Sequence, residues 1–226
     1  MHRRSTGRCS ILPQRTEVSD FRPWYLIVKP ARAVDPRWCE ACVAARGEVL
    51  VDAAPSTVEI LEPGTVHTGL LIVRFAFEAD LDAAWQTIGI LPGGAQALAA
   101  PGLPYEGWPG HAVPTIAMVT VPEGVTPRAY MLIEGTGTDD ARMDAYRDII
   151  LPMIRERGGY YALFELGGSV RVLAGAWSEA ILAISRWPSL AAAHDFWFSQ
   201  RYQTVAIPIR TGFGHFEVQL AEGRAG

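Results

Sequence analysis

The second half of the chain alternates between the two hydrophobic periods that distinguish strands from helices. Helical spacing follows Asp139, a residue suited to an N-cap, and ends at the Gly158-Gly159 pair. A shorter helical pattern begins at Ser189. The segments with a strand pattern are AYMLIE at 129–134, YYALFEL and SVRVLAGAW as a strand or hairpin around a glycine turn, AILAISRW at 180–187, and GHFEVQL at 214–220. This βαββαβ order predicts a ferredoxin-like fold.

The first half repeats this pattern at near-constant spacing, which indicates an internal duplication. WYLIVK at 24–29 corresponds to AYMLIE at an offset of 105, so that Tyr25 matches Tyr130. The stretch at 91–111 has no counterpart, and its proline and glycine content predicts a long loop.

Each half, taken alone, has a sheet with helices on one face and an apolar surface on the other. Two halves in one chain can cover these surfaces, sheet against sheet, which predicts a pseudo-dimer. The predicted boundaries are a flexible arm at 1–20, a degenerate half at 21–122 and a second half at 123–226. We expect a monomer, with a weak homodimer as the alternative.

Composition excludes several classes of protein. The net charge of -4 argues against nucleic acid as a main partner. No apolar run reaches the ~18 residues of a membrane span, and the arginines near the start precede no apolar signal segment, so we expect a cytoplasmic protein. Walker and Rossmann phosphate loops, GxSxG and HExxH motifs are missing, which disfavours nucleotide, classical hydrolase and zincin chemistry.

The sequence WCEAC at 38–42 has the spacing of a thioredoxin redox site. The repeat alignment, however, places Cys39 and Cys42 where Met143 and Tyr146 lie on the apolar face of the equivalent helix. Core packing is therefore the preferred interpretation, because free cysteine behaves as a small buried hydrophobe. A redox pair and a zinc site are the alternatives.

Predicted neighbouring strands bring a histidine and carboxylates together as a candidate base. His215 lies on the polar face of the last strand beside Glu217, and that strand pairs with the strand that carries Glu134. Tyr146, on the helix face towards the sheet, is the candidate proton donor. His194, at the start of the second helix, is a further catalytic candidate.

The candidate substrate-binding residues are mostly aromatic: Tyr130, Arg186, Trp197, Tyr202, Glu217, Trp108 and His111. Arg74 and Arg186 precede equivalent aromatic residues on equivalent strands, and we expect one or both to pair with Glu134, Glu217 or a ligand carboxylate. A structural ion pair between the halves is the preferred interpretation. No cofactor or metal ligand set is predicted.

The second half resembles the domain of unknown function 1330 family, part of the dimeric α/β-barrel superfamily. AHDFWFSQRYQ at 193–203 carries an alanine, an aromatic pair and Ser-x-x-Tyr-Gln, followed by Arg210. ILPMIRERGGYY, VLAGAW and ISRWPS agree as well, whereas the first half lacks this signature. The resemblance implies an α+β protein of two fused ferredoxin-like halves that form an intramolecular barrel, with ligands in a cleft between sheet and helices.

Relatives in that superfamily include cofactor-free monooxygenases, aromatic polyketide cyclases, lyases and haem-handling enzymes. With many aromatic residues and no cofactor motif, we expect a cofactor-independent enzyme that acts on a hydrophobic small molecule. The expected chemistry is acid–base cyclisation, isomerisation or lyase chemistry in secondary metabolism. A non-catalytic small-molecule binding protein and a cofactor-free monooxygenase are the alternatives.

Overall fold

Two similar runs of strands and helices follow one another, and the computed structural model describes them over residues 22–104 and 128–224. The first comprises β1 (Trp24–Lys29), α1 (Pro36–Ala44), β2 (Glu48–Ala53), a 3-10 helix (Pro55–Thr57), β3 (Glu59–Ile60), β4 (Leu70–Phe75), α2 (Glu78–Ile88) and β5 (Gln96–Pro101). The second comprises β6 (Ala129–Gly137), α3 (Asp140–Glu156), β7 (Tyr160–Glu165), β8 (Arg171–Ala174), β9 (Ile181–Trp187), α4 (Leu190–Trp197), a π-helical segment (Tyr202–Ala206), α5 (Ile207–Arg210) and β10 (Gly214–Glu222). The predicted arm at 1–20 lies outside the described residues.

The strands form two antiparallel five-stranded sheets, in the orders β2-β4-β1-β5-β8 and β3-β10-β6-β9-β7. Without β8 and β3, each sheet has the strand order of the ferredoxin-like βαββαβ unit. The predicted α+β class with two fused ferredoxin-like halves is therefore confirmed.

The fifth strand of each sheet comes from the other half. β3, in the connection between β2 and β4, pairs with β10, where Gln219 lies opposite Ile60. β8, in the connection between β7 and β9, pairs with β5, where Ala97 lies opposite Ala174. The hairpin interpretation of the second half is therefore wrong, because β7 pairs with β9 and β8 crosses to the first sheet. This exchange ties the two halves into one unit.

The prediction of a long loop at 91–111 is also wrong over part of its length. Residues Gln96–Pro101 form β5, which pairs along its whole length with β1. Its sequence, QALAAP, lacks the β-branched and aromatic residues that mark strands, so pairing with a buried neighbour determines its conformation. Residues 105–111 of the predicted loop lie outside the described residues.

Three apolar layers hold the fold together. The layer between the sheets contains alternate residues of the central strands: Tyr25, Ile27, Leu70, Ile72, Leu98, Tyr130, Leu132, Leu182 and Ile184. The other residues of these strands face the helices, so that Val73 packs under α1 and α2, and Val218 packs under α3 and α4. Packing of sheet against sheet is therefore confirmed.

Local signals place the helices of the second half. The Asp139 side chain accepts a hydrogen bond from the Arg142 backbone N–H at 3.0 Å, and Ser189 caps α4 through the Ala192 N–H at 3.1 Å. α3 ends before Gly158, whose φ of 71° suits glycine. These predicted helix ends are confirmed.

Cys39 and Cys42 lie on the buried face of α1 and pack into the core, as the repeat alignment predicts, with 7% and 0% of their surface exposed. Burial raises the pKa of the Cys39 thiol to about 11 and that of Cys42 to about 12. A thioredoxin-like nucleophile requires a lowered pKa, so the burial of both thiols favours core packing over the redox alternative. No helix in the described part of the chain is long and apolar enough to cross a membrane.

Candidate functional site

A narrow apolar cleft lies between the helix-covered face of the second sheet and the helices α3 and α4. Its walls include Ile150 of α3, Ala183 of β9, Trp197 of α4 and Phe216 of β10. The enclosed volume is about 50 Å³, which is room for a few water molecules, so a larger ligand would require side chains to move. This is the cleft where the family resemblance places a ligand.

Buried polar groups line one wall of this cleft. The Tyr146 hydroxyl lies 2.9 Å from the Tyr202 hydroxyl. The Arg210 guanidinium pairs with Glu62 and lies 4.8 Å from the centre of the Phe216 ring. Arg210 is only 5% exposed, and its Nε has no hydrogen-bond partner within the described residues. The cleft therefore combines apolar walls with a buried guanidinium whose Nε–H is available to a ligand.

Burial raises the pKa of Tyr146 and of Tyr202, and the neighbouring Arg210 charge opposes this rise only in part. Both hydroxyls therefore stay protonated at neutral pH, so that one can donate to the other while the second donates to an oxygen atom of a ligand. Together with the guanidinium they form a group that can stabilise negative charge.

The Ser-x-x-Tyr-Gln sequence builds this wall. Ser199 Oγ donates to the Phe196 carbonyl at 2.8 Å and accepts from the Tyr202 N–H at 3.2 Å. Gln203 Nε2 donates to the Trp197 carbonyl at 2.6 Å, where α4 ends. These bonds join α4 to the π-helical segment, a rare element that is frequent at functional sites, and direct Tyr202 to the cleft.

A second, more polar cavity of about 400 Å³ lies between the two sheets. Lys29 of β1 pairs there with Glu134 of β6 and lies 3.3 Å from Glu217 of β10. Burial raises the pKa of Glu134, and the Lys29 charge opposes this. His215 lies at the edge of this group, 54% exposed by its side chain, with Nε2 3.7 Å from Glu217 Oε1.

The opposite end of the inter-sheet layer holds the arginines of the repeated strands. Arg186 donates to the Tyr130 hydroxyl at 3.0 Å, and Arg74 donates to Glu48 at 2.9 Å. The predicted pairing of these arginines with Glu134 or Glu217 is wrong. Tyr130 is the cross-strand neighbour of Arg186, whereas Glu134 lies four residues along β6, about 13 Å away at the usual strand rise.

The structure divides the candidate residues among separate places. Tyr146, Trp197 and Tyr202 meet in the apolar cleft, as the resemblance implies. Glu134 and Glu217 meet in the inter-sheet cavity, on the other face of the same sheet, so the prediction that His215 and a glutamate act together with Tyr146 in one site is wrong. The cause is strand alternation, which turns Glu134 away from the helices.

Other candidates lie elsewhere. His194 bonds to Glu59 at 2.6 Å between α4 and β3, and lines neither cavity, so its prediction as a catalytic residue of the same site is not supported by its position. Trp108 and His111 lie outside the described residues.

Sequence reasoning missed the roles of Arg210 and Lys29. Arg210 could have been found as the first basic residue after the Tyr-Gln pair. Lys29, the only lysine of the chain, aligns with Glu134 at the same offset of 105 that relates Tyr25 to Tyr130.

Residues 128–224 match the family described as Domain of unknown function (DUF1330), which confirms the resemblance of the second half. No protein of curated function matches the sequence. Among solved structures, a mutant chlorite dismutase from Candidatus Nitrospira defluvii in complex with cyanide is similar at 11% identity and a TM-score of 0.47, over 89% of this chain and 91% of that chain.

A candidate monooxygenase from Lactobacillus acidophilus is similar at 11% identity and a TM-score of 0.40, over 89% of this chain and 96% of its own. An anthrone oxidase-like protein is similar at 11% identity and a TM-score of 0.41, over 92% and 93%. The fold assignment itself comes from the strand orders and the exchange of β3 and β8.

Proposed function

We propose that the half of the chain that matches DUF1330 binds a hydrophobic small molecule in the cleft between β6–β10 and the helices, and acts on it by cofactor-independent acid–base chemistry. The observation that carries this proposal is the buried Arg210 Nε, without a partner among the described residues, beside two linked tyrosine hydroxyls in an otherwise apolar cleft. An oxygen atom of the ligand, either a carbonyl or a carboxylate, would complete this group.

The chemistry follows from the roles that these side chains can take. The protonated Tyr146 donates a hydrogen bond to the ligand oxygen, and Tyr202 holds the Tyr146 hydroxyl in place. Arg210 stabilises the negative charge that develops on that oxygen during enolisation, cyclisation or elimination. Glu62, which pairs with Arg210, keeps the guanidinium in position. The reaction class is therefore an isomerisation, cyclisation or lyase reaction of a carbonyl compound.

A non-catalytic binding protein is the second candidate function, and the lining of the cleft favours it in one respect. Within the described residues, no histidine or carboxylate lines the cleft, so a general base there has to come from the ligand or from a residue beyond the lining. Binding and turnover therefore have to be measured separately.

The first test is native mass spectrometry of the purified protein, followed by analysis of its denatured extract. A small molecule released on denaturation would give the ligand class. In parallel, 2-naphthoate and naphthalene serve as anionic and neutral probes, with binding followed by tryptophan fluorescence. We expect 2-naphthoate to bind more tightly, because only its carboxylate can accept from Arg210.

Variants of the residues in the cleft test whether the probes bind there. Arg210→Met should weaken 2-naphthoate binding about tenfold, while Arg201→Met, an exposed matched control, should leave binding unchanged. Because Arg210→Met leaves Glu62 without its partner, Tyr146→Phe provides a second variant that keeps the ring and the packing. Equal binding of both probes, or equal binding by all variants, contradicts the proposal. Turnover of an identified ligand that falls in Tyr146→Phe with unchanged binding supports an enzyme.

A further inference from the structure

The inter-sheet cavity has the properties of a second binding site. It lies where the two halves meet and is lined by residues of both: Lys29, Thr68 and Gln96 from the first half, and Glu134, Trp177, Glu179 and Glu217 from the second. A volume of about 400 Å³ falls within the range of small-molecule sites. We propose that this cavity binds a small organic cation, a primary amine that also carries a hydrogen-bond acceptor.

Charge is the first argument for this ligand class. Three carboxylates, from Glu134, Glu179 and Glu217, line the cavity against the single ammonium of Lys29. Lys29 already contacts Glu134 and Glu217, whereas Glu179 contacts neither the lysine nor another cation in the described part of the chain. Even with Glu134 protonated, the cavity keeps an excess negative charge, which attracts a cation.

Unpaired polar atoms are the second argument. Two buried acceptors of lining residues have no hydrogen-bond partner within residues 22–104 and 128–224: Glu179 Oε2 and Gln96 Oε1. Trp177 Nε1 is a buried donor that also has no hydrogen-bond partner within these residues. Native proteins pair almost all such atoms, so their concentration around one cavity indicates a missing partner. An ammonium group offers three donors, and an oxygen atom on the same ligand would accept from Trp177.

Gln219 of β10 is hydrogen-bonded to Thr68, a residue that lines the cavity. Only 1% of this residue is exposed, its Nε2 donates to Thr68 Oγ1 at 3.0 Å, and its Oε1 has no hydrogen-bond partner within the described residues. It belongs to β10 on the same face as Glu217.

An organic cation fits better than a metal ion. Among the described residues, no group of three His, Cys, Asp or Glu side chains is arranged to hold a metal. The indole of Trp177 adds an aromatic surface, which attracts ammonium groups through its ring face. An amino alcohol combines the ammonium donors with the oxygen acceptor that this lining calls for.

This inference does not depend on the function proposed for the apolar cleft. The two cavities lie on opposite faces of the second sheet and share no lining residue. Each can therefore bind its ligand, or fail to bind it, without the other.

The test is isothermal titration calorimetry of the full chain with ethanolamine and 3-amino-1-propanol, and with ethylene glycol and acetate as uncharged and anionic controls. We expect the amines to bind at millimolar concentration or better, more weakly at high salt, and the controls not to bind. Glu179→Gln keeps the side-chain shape and should weaken amine binding about tenfold. Glu222→Gln, at the exposed end of β10, is the matched control and should bind as the parent protein does.

Thermal unfolding provides an independent readout, because a ligand that binds only the folded state raises the melting temperature. The amines should raise it in the parent protein and in Glu222→Gln, and less so in Glu179→Gln. Absence of amine binding by both methods, equal binding by Glu179→Gln, or preferential binding of acetate would each overturn the proposal.

Discussion

Lys29 and Glu134 occupy equivalent positions of the two repeats, 105 residues apart, and form a buried ion pair with each other between the sheets. At the other end of the same strands the repeat keeps a tyrosine in both halves, Tyr25 and Tyr130. The duplicated halves have therefore become complementary in charge at one end only. A lysine in one half and a glutamate in the other favour the intramolecular pairing over a pairing of two identical halves.

The ion pair predicts a specific pattern of stabilities. Glu134→Leu leaves the Lys29 ammonium buried with only the more distant Glu217, and we expect a loss of about 3 kcal/mol in the free energy of unfolding. Lys29→Met should cost a similar amount. The double variant should be more stable than either single variant, because apolar side chains replace both charges. Chemical denaturation measures all of these free energies, and additive losses would contradict the prediction.

The second half alone, residues 123–226, should associate through its exposed sheet face. In a symmetric dimer of this fragment Glu134 would face a second Glu134 in place of Lys29. We expect a weak dimer at neutral pH that is stronger in Glu134→Leu and at acidic pH, where the carboxyls are protonated. Light scattering after size exclusion measures this. A fragment that stays folded and monomeric at all concentrations would contradict this prediction, because its apolar sheet face would then be stable in contact with solvent.

Glu134 also predicts a pH dependence of stability. Burial raises its pKa, against the charge of Lys29 and with help from Glu217 and Glu179, so the folded state holds this proton more tightly than the unfolded state. The stability that the protonated Glu134 contributes is fully present below the ordinary carboxyl pKa of ~4.3. It is lost as the pH rises through the raised pKa that Glu134 has in the folded state.

Unfolding by urea across this pH range should therefore show the parent protein losing stability, relative to Glu134→Gln, as pH increases. His215 Nε2 lies 3.7 Å from Glu217 Oε1 at the edge of the same group, so His215→Gln is the control that isolates Glu134. A stability difference that does not change with pH would contradict the assignment.

Cys39 and Cys42 should be inert in the folded protein. Both thiols are buried and have a raised pKa, so few thiolates are present near pH 8. In a Cys9→Ser background, where these are the only thiols, Ellman's reagent should react slowly with the native protein and with both groups after denaturation. Rapid reaction of the folded protein, or a disulfide between the two, would restore the redox interpretation.

Gly135 allows two strands to approach closely. A Cβ at this position would lie 2.4 Å from the His215 carbonyl oxygen, which belongs to the backbone of β10 and cannot move alone. We expect Gly135→Ala to lower the free energy of unfolding by about 2 kcal/mol. Gly93→Ala is the matched control, because a Cβ there meets no atom within 4 Å. Equal stability of the two variants would show that β6 and β10 adjust freely.

Features encoded in short stretches could be predicted from the sequence. Asp139 and Ser189 cap their helices through side chains a few residues from their targets, and the alternation from Phe216 to Leu220 assigns the two faces of β10. The duplication also predicted the packing of sheet against sheet, because each half alone leaves one apolar face without cover. The apolar cleft with Tyr146, Trp197 and Tyr202 followed from the family signature.

Features that depend on partners distant along the chain required the tertiary structure. β5 is a strand because β1 lies beside it, although its alanines have little strand preference of their own. β8 and β3 leave their own halves because the open edges of the other sheet accept their backbone hydrogen bonds. The separation of His215 and Glu134 from Tyr146 has the same origin, since a strand turns successive side chains to opposite faces. Local patterns in the sequence specify most of the elements, the repeat and the apolar faces, whereas the strand β5, the pairing of Lys29 with Glu134 and that of Arg210 with Glu62 arise only when segments far apart are folded together.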